Sequence, residues 1–185
     1  MAPTTLPWYN QASIDFLESN KPLLCNYNIF EYGLGYSTIY YSHFVKSITG
    51  VETRMEWHNL VNASLPKKQN ENLRLNLQLI SPNLVHNFAD SIEELFFCYK
   101  FDKSFIIIDS NQRAKCLEKS TAFALQNQGL NVVIMLDNSE RLNLQAPIEG
   151  AKNLGFFTKT FSSARPSDGL VSHSTFFCLN EKFFQ

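Results

Sequence analysis

Glu31-Tyr32-Gly33-Leu34-Gly35-Tyr36-Ser37-Thr38 is the stretch on which the reading of this chain turns. It grows out of an apolar, β-prone run, Tyr27 to Tyr32 (YNIFEY), which predicts a strand stopped by Gly33. It then opens a helix predicted over Ser37 to Phe44, with Ser37 and Thr38 as caps. Two glycines between a strand and a helix let the main chain turn sharply and let a ligand approach backbone N–H groups. The helix N-terminus that follows favours a negative group such as a carboxylate. The next predicted strand, Lys46 to Glu52 (KSITGVE), closes on an acid about 20 residues after the glycines, a spacing that suits a carboxylate accepting hydrogen bonds from ribose hydroxyls. The glycines alone would equally serve an ordinary tight turn in an unliganded sheet.

Working outward, apolar runs alternate with helix-like stretches, the pattern of a parallel sheet covered by helices. Upstream, Ser13 to Asn20 reads as a short helix leading into Lys21-Pro22. Downstream, Arg54 to Ser64 is helical, Leu73 to Ile80 alternates as a half-buried strand does, and Ser91 to Tyr99 is a helix with an aromatic face. Phe105-Ile106-Ile107-Ile108 and Asn131 to Leu136 (NVVIML) are continuous apolar runs, hence strands buried on both faces, closed by Asp109 and by Asp137-Asn138. Between them Arg113 to Gln128 is the clearest helix, ending at Gly129. Leu142 to Asn153 is a helix ending near Gly155. Phe157 to Phe161 and Thr175 to Leu179 form a terminal pair of strands around a polar loop, Ser162 to His173. The expectation is one domain spanning residues 1–185, with about seven strands and five or six helices, and ligands bound at the carboxyl edge of the sheet.

Two cofactor classes share such a turn. A dinucleotide site reads GxGxxG, but Thr38 stands at the third glycine position, and Glu31 beside the turn is unwelcoming to a diphosphate. An acid there suits instead the cationic amino group of S-adenosylmethionine. Glu31-x-Gly33-x-Gly35-x-Ser37-Thr38, then Val51-Glu52, then Glu56-Trp57, resembles the opening motifs of class I S-adenosylmethionine-dependent methyltransferases, in particular small bacterial-type members. Ile108-Asp109 with Arg113, and Leu136 to Arg141, resemble the later blocks, so the likeness runs from about Phe30 to Arg141. It implies a Rossmann-like class I methyltransferase fold: α/β, a mostly parallel seven-stranded sheet with helices on both faces. It also implies roles. Glu31, Gly33, Gly35 and Ser37 would hold the methionine end of the cofactor, Glu52 the ribose, and Thr53 would lie near the adenine. Asp109 would sit beside the methionine or the substrate, and Ser81-Pro82-Asn83 is a candidate adenine edge.

Asp109 and Asp137-Asn138 close two buried strands 28 residues apart. If those strands are neighbours, three oxygens converge, and hard oxygen ligands suit Mg²⁺ or Ca²⁺. The pattern resembles the metal site of catechol-type O-methyltransferases, with Asp109, Asp137 and Asn138 as ligands to Mg²⁺, and it makes Asp109, Arg113 and Asp137 the candidate catalytic residues. Gln112 stands where that family has a lysine base, and Arg113, always protonated, can orient but is a poor base. The structural alternative is that the two aspartates hold loops or helix ends. Glu140-Arg141 reads equally as a substrate contact or as a solvated ion pair. His173 is a candidate base, whereas His43, His58 and His86 fall in no telling pattern.

With 16 basic and 17 acidic side chains, no global field draws nucleic acid or an anionic membrane, and no apolar run approaches the ~20 residues of a membrane helix. The 16 Phe point to a core of large rings. Cys25, Cys98, Cys116 and Cys178 show no zinc spacing and read as reduced thiols, and Met1 to Pro7 lacks a signal peptide, so a cytoplasmic protein is expected. The expected activity is methyl transfer from S-adenosylmethionine to an oxygen of a small-molecule or carbohydrate-like acceptor, with no nucleic-acid or membrane partner and with homodimerisation left open. The rivals are a methyltransferase fold kept as a non-catalytic binding module, and a nucleotide-dependent oxidoreductase.

Overall fold

The structure is a computed structural model and describes residues 6–65, 73–81, 88–96 and 102–184. Its seven-stranded sheet centres on β1 (Asn28–Tyr32), with β2 (Ser47–Glu52) on one side and β4 (Lys103–Ile108) on the other. Beyond β2 lies β3 (Arg74–Leu79); beyond β4 lie β5 (Asn131–Asp137), β7 (Val171–Cys178) and, at the far edge, β6 (Phe157–Ala164). β1 to β5 run parallel, whereas β7 is antiparallel to both β5 and β6. The sheet is therefore mixed rather than wholly parallel, as a hairpin closing a parallel sheet requires.

The side-chain alternation of the central strands creates two cores. Ile106 and Ile108 of β4 point into one with Phe30, Ile134 and Phe177; Phe105 and Ile107 point into the other with Ile29, Met135 and Phe176. The first is covered by residues of α5 (Ser91–Phe96), α6 (Arg113–Gln126) and α7 (Gln145–Asn153), the second by α1 (Gln11–Ser19), α2 (Lys21–Leu24) and α3 (Tyr36–Ser42). α4 (Met55–Ser64) packs beside α3, β2 and β3. Buried aromatic and aliphatic side chains on both faces each contribute on the order of 1.5–3 kcal/mol through removal from water.

Several boundaries differ from the sequence expectation. Leu142 to Asn153 is a 3₁₀ turn, Leu142–Leu144, followed by α7. Pro147 has no N–H to give to residue 143, so the α-helical ladder starts late. α6 ends at Gln126 with Asn127 as its cap, short of Gly129, and Gly129 has no positive φ; Gly155, which follows α7, does (φ 93°). Both ends of the polar stretch Ser162 to His173 are strand: β6 extends to Ala164 and β7 begins at Val171, with His173 opposite Ser162. The end of the helix expected through Tyr99 lies outside the described residues. No helix of the described residues is long and apolar enough to cross a membrane.

Candidate functional site

Strand order reverses between β1 and β4: β1 connects outward to β2, and β4 outward to β5. The two following loops diverge and leave a crevice over the carboxyl ends of the strands. A cavity of about 530 Å³ fills it, walled by Gly33, Leu34, Gly35, Tyr36 and Ser37 after β1, and by Glu52, Thr53, Arg54 and Trp57 after β2. Asp109 to Arg113 after β4, with Trp8, Tyr9, Phe88 and Arg141, complete its lining. That volume lies within the ~300–1,000 Å³ typical of small-molecule sites. Of the residues expected to bind cofactor, Gly33, Gly35, Ser37, Glu52, Thr53 and Asp109 meet on this one wall.

The two glycines have different work. Gly33 has φ 93°, and a β-carbon there would sit 2.0 Å from the carbonyl oxygen of Asp109. Its place is thus dictated by close packing of the turn on the end of β4. A β-carbon on Gly35 would meet nothing within 4 Å, because that residue faces the cavity. The turn amides are engaged internally: Gly33 N–H donates to Val51 O, Leu34 N–H to Glu52 Oε2 and Gly35 N–H to Thr38 Oγ1. A ligand over this turn meets its surface rather than a set of free donors.

Glu31 lies beneath the turn, fully buried, and is not among the residues lining the cavity. Ser37 Oγ and Thr38 Oγ1 bond its two carboxyl oxygens, the latter at 2.5 Å. It clamps the first turn of α3 to β1. Burial pushes its carboxyl up to about 8, against the two hydroxyl hydrogen bonds that hold it down, and the charges of Asp109 and Glu52 add to the rise. Glu52 is held differently. Its Oε1 accepts from Thr53 N–H (2.6 Å) and Arg54 N–H (2.8 Å), and its Oε2 from Leu34 N–H (3.0 Å). Thr53 Oγ1 lies 3.5 Å from the same Oε1, so Oε2, with Leu34 N–H as its donor, is the oxygen that keeps an acceptor position.

Asp109, Asp137 and Asn138 do converge, as the register Leu136↔Ile108 requires, but a cation of the chain itself stands among them. Arg113, on the first turn of α6 and 7% exposed, donates from Nη2 to Asp109 Oδ1 and to Asn138 Oδ1 (2.9 Å). Its Nε donates to Asp137 O (2.9 Å), and its Nη1 donates to Ser110 O. Asp137 Oδ1 accepts from Ser174 Oγ (2.9 Å), and burial pushes this carboxyl up to about 7 with help from the Asp109 charge. The expectation of a Mg²⁺ bound by Asp109, Asp137 and Asn138 is therefore corrected: a guanidinium supplies the positive charge and takes Asp109 Oδ1 and Asn138 Oδ1, while the Asp137 carboxyl is turned to Ser174. Among the described residues no group of three or more His, Cys, Asp or Glu is placed to hold a metal ion. Neither Asp137 nor Asn138 lines the cavity, so of the three candidate catalytic residues Asp109 and Arg113 reach it and Asp137 does not.

His173 does not act in a loop over the cleft. It lies on β7 with its N–H on Glu140 Oε2 (2.9 Å) and its carbonyl accepting from Ser139 N–H. Glu140 is thereby engaged, and no ion pair joins it to Arg141 among the described residues. Pro82 and Asn83, candidates for the adenine edge, and His86 lie outside the described residues. Sequence reasoning missed an aromatic wall. Trp8, Tyr36 and Trp57 come together with ring centroids 5.1 Å (Trp8–Tyr36), 5.8 Å (Trp8–Trp57) and 6.0 Å (Tyr36–Trp57) apart. Trp57 stood in the quoted motif without a role; Trp8 gave no local signal beyond being one of only two tryptophans.

No family model and no curated protein matches the sequence. Solved structures do. The chain is similar to an rRNA methylase from Streptococcus thermophilus, with a TM-score of 0.60 and 12% identity over 92% of this chain and 98% of that one. It is similar to human methyltransferase 10 domain containing protein, with a TM-score of 0.55 and 11% identity over 90% and 80%. It is also similar to magnesium protoporphyrin IX methyltransferase from Synechocystis PCC 6803, solved with bound SAM, with a TM-score of 0.52 and 9% identity over 90% and 79%. Fold and crevice together define the class: a Rossmann-like domain with the class I methyltransferase fold. At these identities the likeness is one of fold.

Proposed function

We propose that the protein is an S-adenosylmethionine-dependent methyltransferase acting on an oxygen of a small-molecule acceptor. The observation that carries this reading is the meeting of Gly35, Glu52, Thr53 and Asp109 around one 530 Å³ cavity at the switch point of the sheet. The residues present fit the cofactor: Gly35 leaves open space where a side chain would intrude, and Glu52 keeps an acceptor position for a ribose hydroxyl. Bound there, S-adenosylmethionine would supply an electrophilic methyl on a sulfonium to an acceptor oxygen, with S-adenosylhomocysteine as the leaving group and the acceptor's proton passing to water. Thr53 borders the adenine end. The half-exposed Asp109 carboxylate faces the cationic methionine end, and Arg113 fixes its orientation. Glu31 positions the turn from below. The protein's contribution is thus placement and electrostatics, with no covalent intermediate on the chain.

Isothermal calorimetry with S-adenosylmethionine and with S-adenosylhomocysteine tests the reading. Micromolar binding of both, weakened roughly tenfold or more in Glu52→Gln, is the expected result. Binding of neither overturns it and favours a fold retained for protein contacts; protection by a nicotinamide dinucleotide instead would return the nucleotide reading.

A further inference from the structure

The geometry points to an acceptor site for a planar aromatic anion, stacked on the wall of Trp8, Tyr36 and Trp57 with its negative group on Arg141. The inference rests on the cofactor reading, which occupies the Gly35–Glu52 side and leaves the aromatic rim for the second substrate. Trp8 is 50% exposed, although large apolar rings are costly to leave in water. It is not a loose tail. Tyr9 is 1% and Asn10 0% exposed; Asn10 caps α1 through Ser13 N–H (3.0 Å) and donates to Ser174 Oγ (3.0 Å), while Ala12 N–H donates to Ser163 Oγ (2.9 Å). The segment plants an indole at the cavity mouth, where it stands edge-on to Trp57 and tilted against Tyr36. Rings already held against one another lose little freedom when a flat ligand stacks on them.

The charges select among flat ligands. Arg113 is consumed by four oxygens, and the carboxylates of Glu52 and Asp109 border the side that the cofactor reading occupies. Arg54 has Glu56 at 3.8 Å. Arg141 lines the cavity, touches Asn138 Oδ1 at 3.3 Å, and has no carboxylate ion pair among the described residues. Among the described cations lining the cavity, its guanidinium is the one with no carboxylate within ion-pair distance, and a carboxylate matches its fork. A polyhydroxylated acceptor would need several donors and acceptors, and this wall offers little beyond two indole N–H groups and a phenol.

The chain's only tryptophans are Trp8 and Trp57, so their fluorescence reports on this wall directly. The full chain saturated with S-adenosylhomocysteine is titrated, by fluorescence and calorimetry, with 4-hydroxybenzoate, its methyl ester, a neutral methyl glycoside and a short single-stranded oligonucleotide. Saturable quenching by 4-hydroxybenzoate is expected, persisting in Trp57→Phe. Arg141→Gln should weaken 4-hydroxybenzoate roughly tenfold and leave the ester unchanged. Trp8→Ala should weaken both ring ligands roughly tenfold, and Trp8→Phe should restore most of the loss. Each variant is shown to be folded by a cooperative thermal unfolding transition near the wild-type Tm, read independently of any ligand. Binding of S-adenosylhomocysteine without binding of 4-hydroxybenzoate overturns this inference alone. So does tighter binding of the glycoside or the oligonucleotide, or indifference to Arg141→Gln. Absence of S-adenosylhomocysteine binding overturns the cofactor reading and this inference with it.

Discussion

Replacing Glu31 with glutamine is expected to remove a large part of the fall in stability between pH 5 and pH 8. The carboxyl sits under the glycine turn with no solvent access, and burial raises it from its ordinary 4.5 to about 8. The folded protein therefore keeps a proton that the unfolded chain releases above about 4.5. Stability from a group raised in this way is fully present below 4.5, declines as pH rises, and is lost above about 8. Within that window one such group changes the unfolding free energy by about 1.4 kcal/mol per pH unit, on the order of 5 kcal/mol over its span. Asp137, raised from 3.8 to about 7, adds a parallel decline that stops a unit earlier. Glutamine keeps the clamp, since its amide can accept from Thr38 Oγ1 and donate to Ser37 Oγ, and it has no proton to lose. Urea unfolding from pH 5 to pH 9 reads the slopes. The Glu31→Gln profile should be shallower than wild type by about 1.4 kcal/mol per pH unit up to pH 8, leaving the variant the more stable protein in alkali. Parallel profiles would mean that Glu31 is ionised when folded, and the account of the buried clamp would fail.

The two glycines should separate stability from binding. Gly33→Ala forces a β-carbon into the Asp109 carbonyl at positive φ and should cost about 3 kcal/mol or more, a fall in Tm of roughly 6–12 °C by thermal denaturation. Gly35→Ala should change stability by less than about 0.5 kcal/mol while weakening S-adenosylhomocysteine in calorimetry. Arg113→Ala should cost about 3 kcal/mol or more in urea unfolding, because it strands the Asp109 charge and three other acceptors. Arg113→Lys should recover only part, since an ammonium cannot fork to those oxygens. Mg²⁺, added or removed with EDTA, should leave Tm and cofactor affinity unchanged; a saturable rise in Tm with Mg²⁺ would refute the filling of that site by Arg113.

What could be read from the sequence was what local chemistry dictates. Four consecutive apolar residues, Phe105 to Ile108, can bury both faces only in the middle of a sheet, and they feed both cores. The glycine turn and Glu52 sit within one strand–turn–helix–strand unit, so their spacing alone brought them to one crevice. The terminal pair of strands was read, but its full extent was hidden, because part of what fixes it lies at the other end of the chain. Ser162, Ser163 and Ala164 look like loop, yet they pair with His173, Ser172 and Val171, and Ser163 is fixed by Ala12 from the other end of the chain. Strand formation there is decided by neighbours rather than by propensity. Trp8 was hidden for the same reason: the anchor that holds it at the cavity, Asn10 on Ser174, joins residues 164 positions apart.

The Asp109 … Asp137-Asn138 pattern shows how a correct geometric inference can still name the wrong chemistry. Two parallel neighbours ending in acids must bring their oxygens together, and β4 and β5 do so. Convergent oxygens in a poorly solvated place require a positive charge, but electrostatics alone does not say whether the cation is a metal or part of the chain. The deciding element was four residues downstream. A helix that begins at Arg113 carries that side chain back over Asp109 at i,i+4, within reach of Asp137 O and Asn138 Oδ1. Arginine suits the place for the reason that makes it a poor base: it stays charged when buried and presents a rigid fork. The same substitution changes what Asp109 can do. With a guanidinium on one oxygen and the cavity on the other side, it would, in the proposed reading, face the cationic end of the cofactor rather than share a metal with an acceptor.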